Sequence, residues 1–287
     1  MRKTDLHIHS KFSSDGELEV EEILKRLKDL NFVAASISDH DTFKAYPEAI
    51  EKGQQLGLEV IPNVELTAGL CGRETHILAP FIRFDSEEAK KIVRKLEESR
   101  LLLTERRLEK LKALGFEISL EEVLQRAGSS PPTGPLIARI VIEKYRKHPS
   151  IRPYLERKDP ERSFYSDFFA AGRPAFVERI YVDVAEAMEV VRKAGGVPVL
   201  AHPGAYFNFM TLEKIAYLKE KGLEGIEVIS SYHDRELEEY FRKIARQLDL
   251  VETAGSDFHG KVKPEIKLGD YYGDYEMVEK LKERRDV

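Results

Sequence analysis

The chain has 287 residues, 42% of them hydrophobic, with 46 Lys and Arg against 51 Asp and Glu for a formal net charge of −5. That length and apolar content support a large core and exclude a disordered tail, while the single cysteine, Cys71, excludes an internal disulfide and a thiolate metal cage. The slight acidity argues against a broad duplex-DNA footprint, which needs a basic surface to displace counterions. No run approaches the ~18 apolar residues of a membrane span, and the opening MRKTDLHIHS puts charge and histidine where a signal peptide needs apolar residues. A cytoplasmic protein is expected.

In chain order, Lys3 to His9 reads as a strand. Val20 to Leu30 reads as a helix, with Val20, Ile23, Leu24, Leu27 and Leu30 at helical spacing, and Phe32 to Ser38 as a buried strand. A second helix is expected from near Thr42 to Gly57, whose glycine suits a helix C-terminus. Leu58 to Val64 and Thr75 to Phe81 read as further strands, and this alternation predicts a parallel sheet or barrel. Between 85 and 173 the texture changes. Residues 86 to 112 carry 15 charged positions around an apolar stripe of Ala89, Ile92, Val93, Leu96, Leu103, Leu111 and Leu114, which predicts a long surface helix. A Ser-Ser-Pro-Pro-Thr-Gly-Pro turn at 129 to 135 separates it from a helix over Leu136 to Lys147. Residues 85–173 are thus expected to form an inserted helical subdomain, and residues 1–84 with 174–287 the α/β domain. The alternation then resumes: helix Val184 to Ala194, strand Val197 to Ala201, helix Thr211 to Lys221, strand Gly225 to Ile229, helix Asp234 to Leu248, strand Val251 to Ser256 and a polar tail.

The chemistry sits at the strand ends. His7 and His9 end the first strand, Asp39 and His40 the second, and Glu65 the third. His76 lies on the fourth, His202 follows the Val-Pro-Val-Leu-Ala strand, and Asp257 with His259 follows the last. In a parallel α/β barrel the strand C-termini open on one face, the usual place of the active site. Each residue alone has an ordinary reading, such as a surface histidine, or a turn aspartate at Asp15 before Gly16. Side chains alternate along a strand, however, so His7 and His9 share a face, as do Asp257 and His259 if that segment is extended. Two such pairs at opposite ends of the chain are hard to explain by packing. Imidazole and carboxylate without thiolate suit Zn, Mn or Fe, and nine candidate ligands are too many for one tetrahedral ion.

The segments Asp5-Leu-His-Ile-His-Ser10, Ser38-Asp-His-Asp-Thr42, Glu65, His76, Ala201-His-Pro-Gly204 and Gly255-Ser-Asp-Phe-His-Gly260 resemble the motifs of the polymerase and histidinol phosphatase (PHP) superfamily. The resemblance covers residues 1 to about 80 and 174 to 260. It extends to the stand-alone PHP phosphoesterases with a helical insertion, through Gly134-Pro-Leu-Ile-Ala-Arg139 and Gly172-Arg-Pro-Ala175. That group includes nucleoside 3′,5′-bisphosphate phosphatases, some of which also act as 5′ to 3′ exonucleases on short RNA.

The resemblance implies a distorted (β/α)7 barrel with two or three divalent ions of Mn, Fe or Zn. His7, His9, Glu65 and Asp257 would hold one ion, Asp15, His40 and His259 a second, and Glu65, His76 and His202 a third. It implies hydrolysis of nucleotide phosphate monoesters by water that the ions activate, with Asp257, His259 and Glu65 in the catalytic group. Arg139 and Arg173 are expected to clamp phosphate, and His233 to contact substrate or protonate the leaving group. Asp39 and Glu227 are expected to orient ligands. The expected partner is a small phosphorylated nucleotide or a single-stranded RNA end, without duplex DNA or membrane. Alternatives are a histidinol-phosphate phosphatase, an amidohydrolase-like C–N hydrolase, for which no strand-end Lys is evident, and a non-catalytic metal-binding domain.

Overall fold

The computed structural model describes residues 1–13, 15–128, 131–206 and 209–285. Ser129 and Ser130 of the expected turn lie outside the described residues. The chain forms two compact units, Met1–Arg94 with Tyr181–Val287, and Lys95–Ile180.

The first unit opens with β1 (Lys3–Ile8), α1 (Val20–Asp29), β2 (Phe32–Ile37), α2 (Tyr46–Leu56) and a short β3 (Glu59–Val60). β1, β2 and β3 pair in parallel, as the strand and helix spacing predicts. Val20, Ile23, Leu24 and Leu27 of α1 are buried and meet Ile8, Phe32 and Ile37 in one apolar cluster. α2 ends at Gly57, whose φ of 62° is left-handed backbone open to glycine without a Cβ penalty.

The next segment departs from the expectation. β3 stops at Val60, and Pro62, which has no N–H for a ladder, follows shortly. Glu65 therefore begins a strand instead of ending one. β4 (Glu65–Leu70) turns at Cys71 and Gly72, with φ of 50° and 75°, into the antiparallel β5 (Arg73–Leu78). Two successive positive φ values are what a two-residue hairpin turn needs to match the strand twist.

Asn63, fully buried between these strands, holds three backbone groups. Its Nδ2 donates to the Leu6 carbonyl at 2.9 Å, and its Oδ1 accepts from Val64 N at 2.9 Å and Ala79 N at 2.7 Å. Asn63→Ala removes all three bonds; Ala79 N still reaches the Val64 carbonyl at 3.1 Å, and the change is expected to cost about 2 to 3 kcal/mol of unfolding free energy. Urea titration checks this as a lower midpoint at unchanged slope. A loss under about 0.5 kcal/mol, the level of an ordinary surface change, would contradict it.

The second unit takes most of α3 (Glu87–Ala113), then α4 (Leu120–Ala127), α5 (Gly134–Lys144), α6 (Arg152–Leu155) and α7 (Pro160–Phe169). Ser119, Thr133 and Asp159 cap α4, α5 and α7 by accepting from the N–H three residues on. Its core joins Leu111, Phe116, Val123, Ile137, Val141 and Phe164.

Back in the first unit come β6 (Val182–Asp183), α8 (Val184–Lys193), β7 (Val199–Leu200), α9 (Leu212–Glu220), β8 (Gly225–Ser230), α10 (Arg235–Gln247) and β9 (Val251–Gly255). The expected polar tail is structured. It holds β10 (Gly273–Asp274), antiparallel to β1, and α11 (Glu276–Glu283), which buries Met277, Val278 and Leu281.

The ladders make a four-stranded sheet, β10-β1-β2-β3, and a six-stranded sheet, β6-β4-β5-β7-β8-β9. The expected α/β fold with parallel pairing is present in β1-β2-β3, β4-β6 and β7-β8-β9, and β5 interrupts it by pairing antiparallel with both β4 and β7. Isolated parallel bridges from Ile8 to Phe258 and from His40 to Glu65 link the two sheets. Both bridges lie at the residues from which the site is built.

Candidate metal centre

Alternation along β1 sends Leu6 and Ile8 into apolar clusters, while Asp5, His7 and His9 project to the other side. The Nε2 atoms of His7 and His9 lie 3.1 Å apart, so the pair shares a face as expected. His40 follows β2, Glu65 begins β4, His76 lies in β5, His202 follows β7, and Asp257 and His259 follow β9. Asp15 comes from the loop between β1 and α1.

His202 and Asp257 have φ of 27° and 54°. Such backbone costs a non-glycine residue on the order of 1 kcal/mol and tends to occur at functional sites. Here it turns the chain out of the strand, and both side chains enter the cluster. The condition of an extended Asp257-Phe-His259 segment is not met: both residues arrive because the chain turns at Asp257, not through strand alternation.

Glu65 is the hub. Its Oε2 lies 3.2 Å from His7 Nε2, 3.1 Å from His9 Nε2 and 3.1 Å from His40 Nδ1. Its Oε1 lies 2.7 Å from His76 Nδ1 and 2.9 Å from His202 Nε2. Asp257 Oδ1 lies 3.3 Å from His7 and 3.1 Å from His9. Asp15 Oδ2 lies 3.3 Å from His259 and 3.7 Å from His40. All nine expected ligands thus come together, in three groups with metal-ligating spacing: His9, Asp15, His40 and His259; His7, Glu65, His202 and Asp257; and His40, Glu65 and His76.

The donor set fits divalent cations. Asp15 Oδ1, His40 Nδ1, Glu65 Oε2, His76 Nδ1, His202 Nδ1 and His259 Nε2 are buried without a hydrogen-bond partner among the described residues. Several of these atoms are close to one another yet not aligned as donor and acceptor, which suits atoms aimed at a shared cation. The electrostatics agree. Burial favours the neutral form of every group, yet the surrounding imidazoles hold Glu65 and Asp257 well below the usual carboxylate range. Against the same burial, Asp257 and Glu65 push His9 up to about 9, and Glu65 pushes His76 up to about 10. His40, where burial dominates, falls to about 3. The carboxylates demand compensating positive charge, which imidazolium protons or divalent ions can meet.

Other residues hold the ligands. Glu227, fully buried on β8, accepts from His7 Nδ1 at 3.0 Å and from His202 N at 2.6 Å, so it holds the ring of a candidate ligand. Asp39 touches no imidazole by hydrogen bond; it accepts from Ser10 N and Ser10 Oγ, both at 2.7 Å, and fixes the chain after His9. Ser13 Oγ meets His9 Nδ1 at 2.8 Å, a support the sequence reading missed.

His233 has a different task from the expected one. Its Nδ1 donates to the Val228 carbonyl at 2.8 Å, and its Nε2 accepts from Gly204 N at 2.8 Å. With both nitrogens used by backbone, the ring pins the His202 loop to β8 and has no proton directed at a leaving group. Arg139 and Arg173 both lie in the helical unit. Arg139 pairs with Glu161 at 3.0 Å, and Arg173 is exposed. Sequence reasoning also missed Lys263 and Tyr232, which sit beside Asp257 and His202. Tyr232 follows β8 and Lys263 follows β9, but neither residue type stands out there in the sequence.

Comparison with known proteins agrees with this geometry. The sequence pattern of the PHP domain matches residues 5–148. The chain is 31% identical over 264 residues to the phosphoribosyl 1,2-cyclic phosphate 1,2-diphosphodiesterase of Eggerthella lenta, covering 90% of this chain and 94% of that one. It is 26% identical to a 5′-3′ exoribonuclease of Haemophilus influenzae (90% of each chain), and 25% identical to a 3′,5′-nucleoside bisphosphate phosphatase of Chromobacterium violaceum (90% and 88%). A crystal structure from Bifidobacterium adolescentis, of a protein assigned as a metal-dependent phosphoesterase, superposes with a TM-score of 0.80 at 26% identity, covering 99% of this chain and 96% of that one. With the domain pattern, the near full-length relatives and the convergent imidazole and carboxylate cluster taken together, the chain belongs to the PHP domain family.

Proposed function

We propose that this metal-dependent phosphoesterase hydrolyses phosphate monoesters of nucleotides, with nucleoside 3′,5′-bisphosphates and the 5′ ends of short RNA as substrates. The observation that carries the reading is Glu65, one buried carboxylate reaching five imidazoles through its two oxygens. Such a carboxylate suits a bridge between ions. His7, His9, Glu65 and Asp257 would hold one ion, Asp15, His40 and His259 a second, and Glu65, His76 and His202 a third. The donors suit Mn, Fe or Zn. When bound, such ions supply water activated near neutral pH and neutralise charge on phosphoryl oxygens.

This chain's own residues fix that chemistry in place. Glu227 holds the His7 ring and the His202 backbone, Ser13 holds the His9 ring, and His233 pins the loop that carries His202. Asp257, His259 and Glu65 belong to the catalytic group because each carries a donor into the cluster. No described helix is long and apolar enough to cross a membrane, and a cytoplasmic nucleotide substrate suits the acidic chain better than duplex DNA.

Hydrolysis across a panel tests the substrate, read as inorganic phosphate from the monoesters and as the ring-opened monoester from the cyclic ester. The panel holds a nucleoside 3′,5′-bisphosphate, a 5′-phosphorylated short RNA, a ribosyl cyclic phosphate, histidinol phosphate and an aryl phosphate. The bisphosphate or RNA end is expected to lead in kcat/KM by about tenfold or more, the scale of one added charge-assisted contact. A lead for histidinol phosphate or the cyclic ester would overturn the substrate assignment.

A further inference from the structure

Lys263 and Tyr232 stand against the metal centre without being ligands. Lys263 Nζ lies 2.5 Å from Asp257 Oδ2 and 2.8 Å from Tyr232 Oη. The Tyr232 ring lies 5.1 Å from the His202 ring, and the Lys263 ammonium sits 5.2 Å from the Tyr232 ring centre. Both side chains keep an edge to solvent, Tyr232 at 38% and Lys263 at 25%. Asp257 divides its two oxygens accordingly. Oδ1 faces His7 and His9, and Oδ2 faces the ammonium.

An ammonium is poorly placed beside residues that gather cations, because it repels any ion that Asp257 helps to hold. Nor does Asp257 need it for charge balance, since the ions that Asp257 would help to hold supply that charge. A cation and a phenol hydroxyl that keep an edge to solvent beside a cationic centre do make sense if an anion binds there. Lysine suits that role, as a compact charge on a flexible stem with three donors.

We propose that Lys263 and Tyr232 form a phosphoryl-oxygen clamp that selects terminal phosphate monoesters over diesters. The Lys263 ammonium and the Tyr232 hydroxyl hydrogen-bond the non-bridging oxygens of the substrate phosphate that face them. A monoester dianion offers more charge to Lys263 than a diester monoanion, so the clamp discriminates between them. The inference rests on the phosphoesterase reading and names the residues that choose its substrate class.

Calorimetric binding of inorganic phosphate to the metal-loaded protein tests it, with metal per chain measured on the same samples. Lys263→Met is expected to weaken phosphate binding by about tenfold or more with metal per chain unchanged, and Lys263→Arg to restore most of it. Tyr232→Phe is expected to weaken it by a few fold, and Lys263→Met to lower the monoester to diester ratio of kcat/KM. Unchanged phosphate binding in Lys263→Met overturns the clamp, and so does a parallel loss of metal, which would make Lys263 a positioning partner of Asp257. If Lys263→Met fails to fold by circular dichroism, Tyr232→Phe decides: weaker phosphate binding at full metal supports the clamp, and unchanged binding overturns it. A parent protein that loads metal, binds no phosphate and hydrolyses no phosphoester overturns the phosphoesterase reading along with the clamp. A parent that binds phosphate beside an unaffected Lys263→Met overturns the clamp alone.

Discussion

Glu65→Gln is expected to abolish phosphoester hydrolysis, lowering kcat/KM by on the order of a thousandfold, and to strip metal from a chain that still folds. The amide keeps the shape and loses the charge. One carboxylate oxygen meets His7, His9 and His40, and the other meets His76 and His202. Glutamine therefore turns a donor amine toward imidazole nitrogens on one side, and leaves a single neutral acceptor on the other. No neighbouring acid replaces it, because Asp257 Oδ2 is engaged by Lys263 and Asp15 sits toward His40 and His259. Metal analysis of purified protein, with phosphate release at saturating divalent ion, reads both effects. Full metal content and a rate within a few fold of the parent would remove Glu65 from the centre of this account.

The second large effect is expected at Glu227, which touches the centre only through other residues. It accepts from the His7 ring and from the His202 backbone, and it is fully buried. Gly255 makes room for it: a Cβ there would lie 2.2 Å from His7 Cβ and 2.4 Å from Glu227 Oε1. Glu227→Ala frees the His7 ring to rotate and leaves a buried backbone N–H unpaired. Metal affinity is expected to fall about 10- to 100-fold, as for other carboxylates that hold a ligating histidine. Unfolding free energy is expected to fall by about 2 to 3 kcal/mol. Competition against a chelator and a urea titration separate the two quantities. Asp39→Asn is the comparison, because Asp39 bonds Ser10 and no ligand ring. Equal losses of metal affinity in the two variants would mean that Glu227 acts through general loop order and not through His7.

The ligand set was legible because its chemistry is distinctive. Six of eight histidines fall on strands or shortly after them and join the cluster, and the alternation of Asp5-Leu-His-Ile-His9 announces a strand with a polar inner face. What local pattern could not supply was pairing. Leu58 to Val64 is an apolar run, so it reads as a strand, yet Pro62 and the buried Asn63 break it and hand Glu65 to the start of a hairpin. β6 and β10 have two residues each and exist through their partners, not through periodicity. α11 was missed after a run of Gly, Asp and Tyr, although Met277, Val278 and Leu281 form a short stripe.

Supporting residues were legible in proportion to how unusual they are. Glu227, an acid inside an apolar strand, stood out, whereas nothing marks Lys263 among 46 basic residues until folding brings it to Asp257. His233 shows the opposite failure. A histidine after a strand looks reactive in sequence, and only the two backbone bonds to its ring reveal a structural pin.

We propose that nine imidazole and carboxylate side chains make a multinuclear metal centre on which hydrolysis depends. Divalent metal per folded chain, measured together with phosphate release before chelation, after it and after metal is restored, tests this directly. Two or three ions per chain, activity lost on chelation and regained on addition of Mn, Fe or Zn, is the predicted result. A protein that carries less than one ion per chain and still hydrolyses phosphoesters at its full rate would contradict it.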